Sequence, residues 1–255
     1  MAYTRFSLLL SFLLCSVTSS FSNNALAETS QPYPEFNADY NATWTGGWFP
    51  INVDAQRSLV YQEDGTAVLT FEADSAIAGL EEISTFRFLE DTIQPLRYRY
   101  LRSGLFKEPD RDQLFDWQKK QIVNGENQKI FEGHWHDSVQ DNLSYNLQAS
   151  IDLKQGKTQF TYPVFDRNKV KDFKFQLIGF ESLKTKVGML RTVKVEQIEN
   201  KKNKKKNKKK TYIWFAKDYD YLLVRLKQKQ KDGQTYQIDL TYADINGKIL
   251  GKAKK

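Results

Sequence analysis

The chain has 255 residues and a formal charge of +7, with 17 phenylalanines, 13 tyrosines and five tryptophans but one cysteine and two histidines. A single cysteine excludes a disulfide framework and any cysteine-rich metal site. Eight lysines lie between Lys201 and Lys210, and setting them aside turns +7 into −1. That excludes the folded basic face of a nucleic-acid-binding domain, so nucleic acid is not an expected partner.

The N-terminus sets the expected compartment. Arg5 is the only charge before Glu28, the block Phe6 to Val17 is apolar, and Ala25-Leu26-Ala27 forms an A-x-A site. This is the pattern of a signal peptide cleaved after Ala27. The apolar block is shorter than the roughly 20 residues of a membrane span. Cys15 lies within it and follows Leu14, not the small residue that a lipid anchor needs. The expectation is a leader over 1–27 and a single β-rich domain over 28–255, exported to the periplasm. The lack of cysteine beyond the leader favours a bacterial envelope protein over a disulfide-bonded secreted one. No second apolar stretch is long enough to span a bilayer.

From there the dominant period is two. Phe36, Ala38, Tyr40, Ala42 and Trp44 alternate with polar residues and predict a half-buried strand that ends at Gly46-Gly47. Ala67, Leu69, Phe71 and Ala73 form a second set, and Leu96, Tyr98 and Tyr100 a third. Leu114 to Val123 predicts a strand that turns at Asn124-Gly125. One helix is expected, with Leu143, Leu147 and Ile151 on one face, Asp141 as its cap and Gln155-Gly156 at its end.

Strands then resume. Phe173 to Leu177 alternates, Val187-Gly188 turns, and Met189 to Glu199 alternates again. Tyr212 to Ala216 is apolar throughout, which implies cover on both faces. Leu222 to Leu226 and Tyr236 to Tyr242 flank the hairpin signal Asp232-Gly233. About ten or more strands and one short helix make an all-β, mostly antiparallel fold, either a curved, partly closed barrel or a sandwich. The lysine run becomes a hairpin loop at 200–211. Its lysines (Lys201, Lys202, Lys204, Lys205, Lys206, Lys208, Lys209 and Lys210) repel one another and predict a solvated loop. Electrostatic contact with an anionic envelope surface is the functional alternative.

The chemical motifs are few. His134-Trp135-His136-Asp137 holds both histidines and would put two imidazoles on one strand face, but it lacks the further ligand that a stable zinc site needs. No metal or cofactor is expected. G-x-S-x-G, GxxxxGK[ST] and GxGxxG are absent. Glu81, Glu82, Asp166 and Glu181 supply carboxylates for the alternative function, a hydrolase acting on a cell-wall or saccharide substrate. The aromatics read as core. The sharper reading is an apolar cavity for a lipid or other amphiphile, with Trp44, Trp48, Phe49, Phe115, Trp117 and Trp135 as its candidate lining.

Five segments together carry a family resemblance. They are Arg97 to Glu108, Phe115-Asp116-Trp117, Asp141 to Gly156, Phe175 to Glu196 and Ile213 to Gly233. The most specific are the G-x-E-x-L-x-T-x-x-G run from Gly179 to Gly188 and the stretch from Ile213 to Leu226. The chain resembles the exported bacterial proteins grouped as domain of unknown function 3108, over nearly all of 28–255. It departs from them in a longer, more basic lysine loop and in Leu223 where a proline is usual. The resemblance implies a periplasmic, mostly β protein and brings no catalytic residues with it. The function expected is therefore non-enzymatic, the binding of an amphiphile or an envelope protein.

Overall fold

The structure is a computed structural model that describes residues 31–45, 51–75, 78–104, 108–198, 209–230 and 232–252. The leader, Trp48, Phe49 and Lys201 to Lys208 lie outside these residues. Among them the strands are β1 (Phe36–Thr45), β2 (Ile51–Tyr61), β3 (Ala67–Asp74), β4 (Ala78–Leu89), β5 (Thr92–Gly104), β6 (Arg111–Asp116) and β7 (Gln121–Asn124). After the helix α1 (Ser144–Lys154) come β8 (Gln159–Asp166), β9 (Lys169–Thr185), β10 (Gly188–Ile198), β11 (Lys210–Ala216), β12 (Leu222–Lys229), β13 (Thr235–Ile245) and β14 (Lys248–Gly251). They form one antiparallel sheet in the order β7-β6-β5-β4-β3-β2-β1-β13-β12-β11-β10-β9-β8, with β14 also on β13. The sheet is curved and does not close. Of the two forms expected, the barrel-like one is present. No described helix is long and apolar enough to cross a membrane.

Period-two burial builds the inner face. Phe36, Ala38, Tyr40 and Ala42 of β1 are buried, as are Leu240, Ala243 and Ile245 of β13 beside it. A bulge opposite Asp39/Tyr40 shifts the register and moves the buried phase of β13 from Ile238 and Leu240 to Ala243 and Ile245, so Tyr242 does not continue the alternation read from Tyr236. Ile213 to Ala216 of β11 are buried in succession, as a strand covered on both faces requires. The hairpin around the lysine run is present, since β10 and β11 pair from Thr192↔Ala216 to Gln197↔Thr211. β11 begins at Lys210, opposite Lys229, so Lys210 and Thr211 belong to the strand and not to the loop.

Two strands and one turn differ from the pattern read in the sequence. β2 and β4 are long strands that the alternation does not announce. The predicted strand from Leu114 to Val123 is instead two strands joined by a turn at 117–120. Asp116 makes that turn, its Oδ1 accepting the backbone N–H groups of Gln118 at 3.1 Å and Lys119 at 2.9 Å. Trp117 therefore starts a turn.

Segment 139–154 bridges the gap between the edge of β8 and the margin of β5. The N–H of Gln140 donates to Pro163 O at 2.8 Å and its carbonyl accepts from Phe165 N–H at 2.9 Å, a parallel bridge on the free edge of β8. Its side-chain Nε2 donates to Ile93 O at 2.8 Å on β5, beyond the reach of β6. Gln148 Oε1 accepts the Ile93 N–H at 2.8 Å, and Trp117 Nε1 donates to Pro95 O at 2.6 Å. Proline at 95 has no N–H to satisfy, which suits an edge position. The open margin of β5 is thus hydrogen-bonded by side chains where no strand pairs with it.

The helix is enclosed. Leu147 and Ile151 are buried as their spacing predicts, but so are Gln148, Ser150 and Asp152. Asp152 accepts the Tyr162 hydroxyl at 2.6 Å and Lys157 Nζ at 2.8 Å, so its burial is compensated.

Candidate functional site

The inner face carries a polar row. Ala38, Arg57, Phe71, Glu82 and Tyr100 are successive register partners across β1 to β5. Strand geometry sends register partners to the same side, so Arg57 and Glu82 point where Ala38 points, toward the helix. Beneath the N-terminal turn of α1 lies a cavity of about 230 Å³. Its sheet wall comes from Tyr40, Arg57, Phe71, Leu80, Glu82, Leu223, Leu226, Tyr236 and Ile238, and its helix wall from Asn142, Leu143, Tyr145 and Asn146.

Arg57 is the unusual member. It is only 5% exposed, and among the described residues it forms no ion pair and its Nε and Nη2 have no hydrogen-bond partner. Its Cζ stands 5.7 Å from the Phe36 ring centroid, a weak compensation for a buried charge. Asn142 Nδ2 in the same cavity is also buried and unpartnered. Tyr40 donates to Leu223 O at 2.8 Å, and burial pushes its hydroxyl up to about 12 against the opposing charge of Arg57.

Glu82 lies about 9.5 Å of backbone from Arg57, two strands away. Its Oε1 accepts the Tyr98 hydroxyl at 2.5 Å. Burial pushes its carboxyl up to about 7, which the hydrogen bond from Tyr98 opposes and the nearby Asp141 reinforces. A raised acid favours the neutral form in the folded state. The stability this gives is fully present below the ordinary value of 4.5 and is lost as pH rises through about 7. Glu82→Gln keeps an acceptor for Tyr98 and cannot ionise. Urea unfolding at pH 5 and pH 8 should show that the variant escapes a loss of about 3 kcal/mol suffered by the parent. Equal pH dependence in both proteins would rule Glu82 out as its source.

Of the aromatic candidates read from the sequence, Trp48 and Phe49 lie outside the described residues, and Trp44, Phe115, Trp117 and Trp135 are not among the cavity's lining. Trp44 pairs in register with the cavity residue Tyr236, is 42% exposed, and donates from Nε1 to Gln234 Oε1 at 3.1 Å. Phe115 is buried, edge-on to Phe165 at 6.4 Å. Trp117 and Trp135 pack edge to face at 4.9 Å beside the β5 margin. His134 and His136 lie in a loop and not on a strand, and His136 Nδ1 accepts the Ser138 N–H at 3.2 Å. The four carboxylates considered for hydrolysis are also apart. Glu82 lines the cavity, and Glu81 an outer cleft with Glu72, Asp74 and Asp110. Asp166 pairs with Lys171, and Glu181 accepts the Trp214 indole N–H. Arg57 was not among the candidates, yet its signal is present: a charge in the inward phase between Ala55 and Leu59.

Comparison with known proteins adds the following. The family model described as "Protein of unknown function (DUF3108)" matches residues 39–241. No curated protein matches the chain. A β-barrel-like protein of the DUF1849 group from Brucella abortus aligns with 84% of this chain and 98% of its own, at 11% identity and a TM-score of 0.52. At that identity the likeness is one of fold. A DUF1329 family protein from Desulfovibrio piger covers 84% of this chain and 86% of its own, at 9% identity and a TM-score of 0.28. A LolA superfamily protein from Nitrosomonas europaea covers 88% and 89%, at 8% identity and a TM-score of 0.24.

Proposed function

The chain belongs to the DUF3108 family of proteins of unknown function, and from that premise we propose that it is a non-enzymatic binding protein of the bacterial periplasm whose ligand is a lipid or another amphiphile. The observation that carries this is the cavity between the concave sheet and α1. Phe71, Leu80, Leu143, Leu223 and Ile238 give it apolar walls, while Tyr40, Arg57, Glu82 and Tyr236 give it a few convergent polar groups. That mixture characterises small-molecule sites. Export supplies the setting, and the signal pattern ending at Ala27 supports it. The lysines of the β10–β11 connection belong to the same reading as an electrostatic contact with an anionic envelope surface.

Two measurements on gently purified protein test the proposal. Native mass spectrometry is expected to find a co-purified lipid-sized adduct. Delipidated protein is expected to bind a fluorescent fatty-acid probe and to release it to unlabelled lipid. A protein that purifies empty and leaves the probe free in solution would overturn the proposal.

A further inference from the structure

A second space adjoins the cavity. A groove of about 830 Å³ runs between β9, the end of β10, the start of β11 and β12, and it shares Tyr145 and Leu226 with the cavity. Val170, Phe173 and Ile198 give it an apolar strip between charged and polar walls that include Asp166, Lys169, Lys171 and Gln228. Tyr145 stands between the two spaces, its ring 5.3 Å from Phe173 and 5.8 Å from Phe175. The inner space is small for a whole lipid, since ligand sites usually start at about 300 Å³. The outer one has room for a chain.

The two free nitrogens of Arg57 have a specific meaning in this protein. Nε and Nη2 form the side-on edge of a guanidinium, the edge that holds both oxygens of a carboxylate. Arg97 uses that same pair, donating from Nε to Asp112 Oδ1 at 2.9 Å and from Nη2 to Oδ2 at 2.6 Å. Arg191 presents the same pair to Asp218. Arg57 presents it to nothing, and the carboxyl that shares its cavity, Glu82, is bonded to Tyr98.

We infer that the ligand is a single-chain carboxylate that enters head first, its carboxylate on the Nε/Nη2 edge of Arg57 and its hydrocarbon running past Tyr145 and Leu226 into the groove. The edge is buried, so head-group entry involves a shift of the side chains packed over it. Head-first binding rejects lipids whose polar group is bulky, because about 230 Å³ cannot take both a phosphocholine and the start of a chain. This inference rests on the amphiphile reading above and specifies its ligand.

The test compares three sixteen-carbon ligands on the purified protein by probe displacement at one pH: hexadecanoic acid, hexadecanol and palmitoyl lysophosphatidylcholine. The acid is expected to bind at least about tenfold more tightly than the other two, the worth of a charge-assisted hydrogen bond. Arg57→Gln should abolish the preference for acid over alcohol, and Arg57→Lys should retain part of it. Circular dichroism on each variant checks that the sheet is intact. Equal affinity for acid and alcohol in the parent, or binding of the phosphocholine as tight as that of the acid, would overturn head-first binding and leave the amphiphile reading standing. Failure of all three ligands to displace the probe would overturn both.

Discussion

Arg57→Met is expected to be more stable than the parent by about 1–4 kcal/mol. A buried guanidinium with two unbonded nitrogens has lost its water on that edge, and the face of Phe36 and the Tyr40 hydroxyl compensate only in part. Methionine keeps much of the volume, adapts its shape and buries no charge. The neighbours Ala55 and Leu59, both buried on the same side of β2, already make an apolar surround for it. Urea unfolding of delipidated protein measures the difference as a shift in midpoint at constant slope. The same variant should lose its preference for anionic ligands. A gain in stability with a loss of binding is the mark of a residue kept for function against the interest of the fold. If Arg57→Met unfolds at lower urea than the parent, the guanidinium has a structural partner and the site assignment fails.

The same residue explains how much of this molecule its sequence discloses. β1 is plain because Phe36, Ala38, Tyr40 and Ala42 are all apolar and all buried. β2 is hidden because its inward phase runs Ala55, Arg57, Leu59, and a charge in the middle destroys the alternation. β4 is hidden likewise, because Glu82 and Ser84 occupy its inward phase next to Phe86. The residues that conceal these two strands are the ones that give the cavity its polarity, or in the case of Ser84 its link to Asp141. Local rules fail where function departs from them. The aromatic candidates show the converse limit. Phe115, Trp117 and Trp135 are large and apolar, which makes them good core and edge material. Size alone does not say which face of which strand a ring occupies. The split of β6 from β7 escaped because Asp116 builds its turn by accepting two backbone N–H groups, with neither glycine nor proline to mark it.

The second strong effect is expected at Asp141, which the sequence pattern predicts as the cap of α1 but which lies two residues before its N-cap, Leu143, a residue with no side-chain cap of its own. Its Oδ1 accepts the N–H groups of Leu143 at 2.8 Å and Ser144 at 2.7 Å, and its Oδ2 accepts the Ser84 hydroxyl at 2.5 Å. Its own N–H donates to Ser144 Oγ at 3.0 Å, so Asp141 and Ser144 bond each other reciprocally across the turn that leads into α1. The carboxylate thus ties the start of α1 to β4 in a setting with no water to substitute. Burial raises its pKa, and the hydrogen bonds it accepts oppose that rise. Asp141→Ala strands three buried donors and is expected to cost about 3–5 kcal/mol, beyond the usual loss of about 1 kcal/mol for an exposed cap. Asp141→Asn keeps an acceptor for both backbone groups, and the Ser84 hydroxyl can turn to accept from the new amide. Its cost should stay near 1 kcal/mol. The contrast reaches function, because Leu143 and Tyr145 hang from this turn as the helix wall of the cavity. At a urea concentration where Asp141→Ala is still folded, loosening of the turn should weaken the fatty-acid probe, while Asp141→Asn should hold it as the parent does. An alanine variant as stable as the asparagine one would mean that α1 is held by Leu147, Ile151 and Gln148 alone, and that the wall of the cavity does not depend on Asp141.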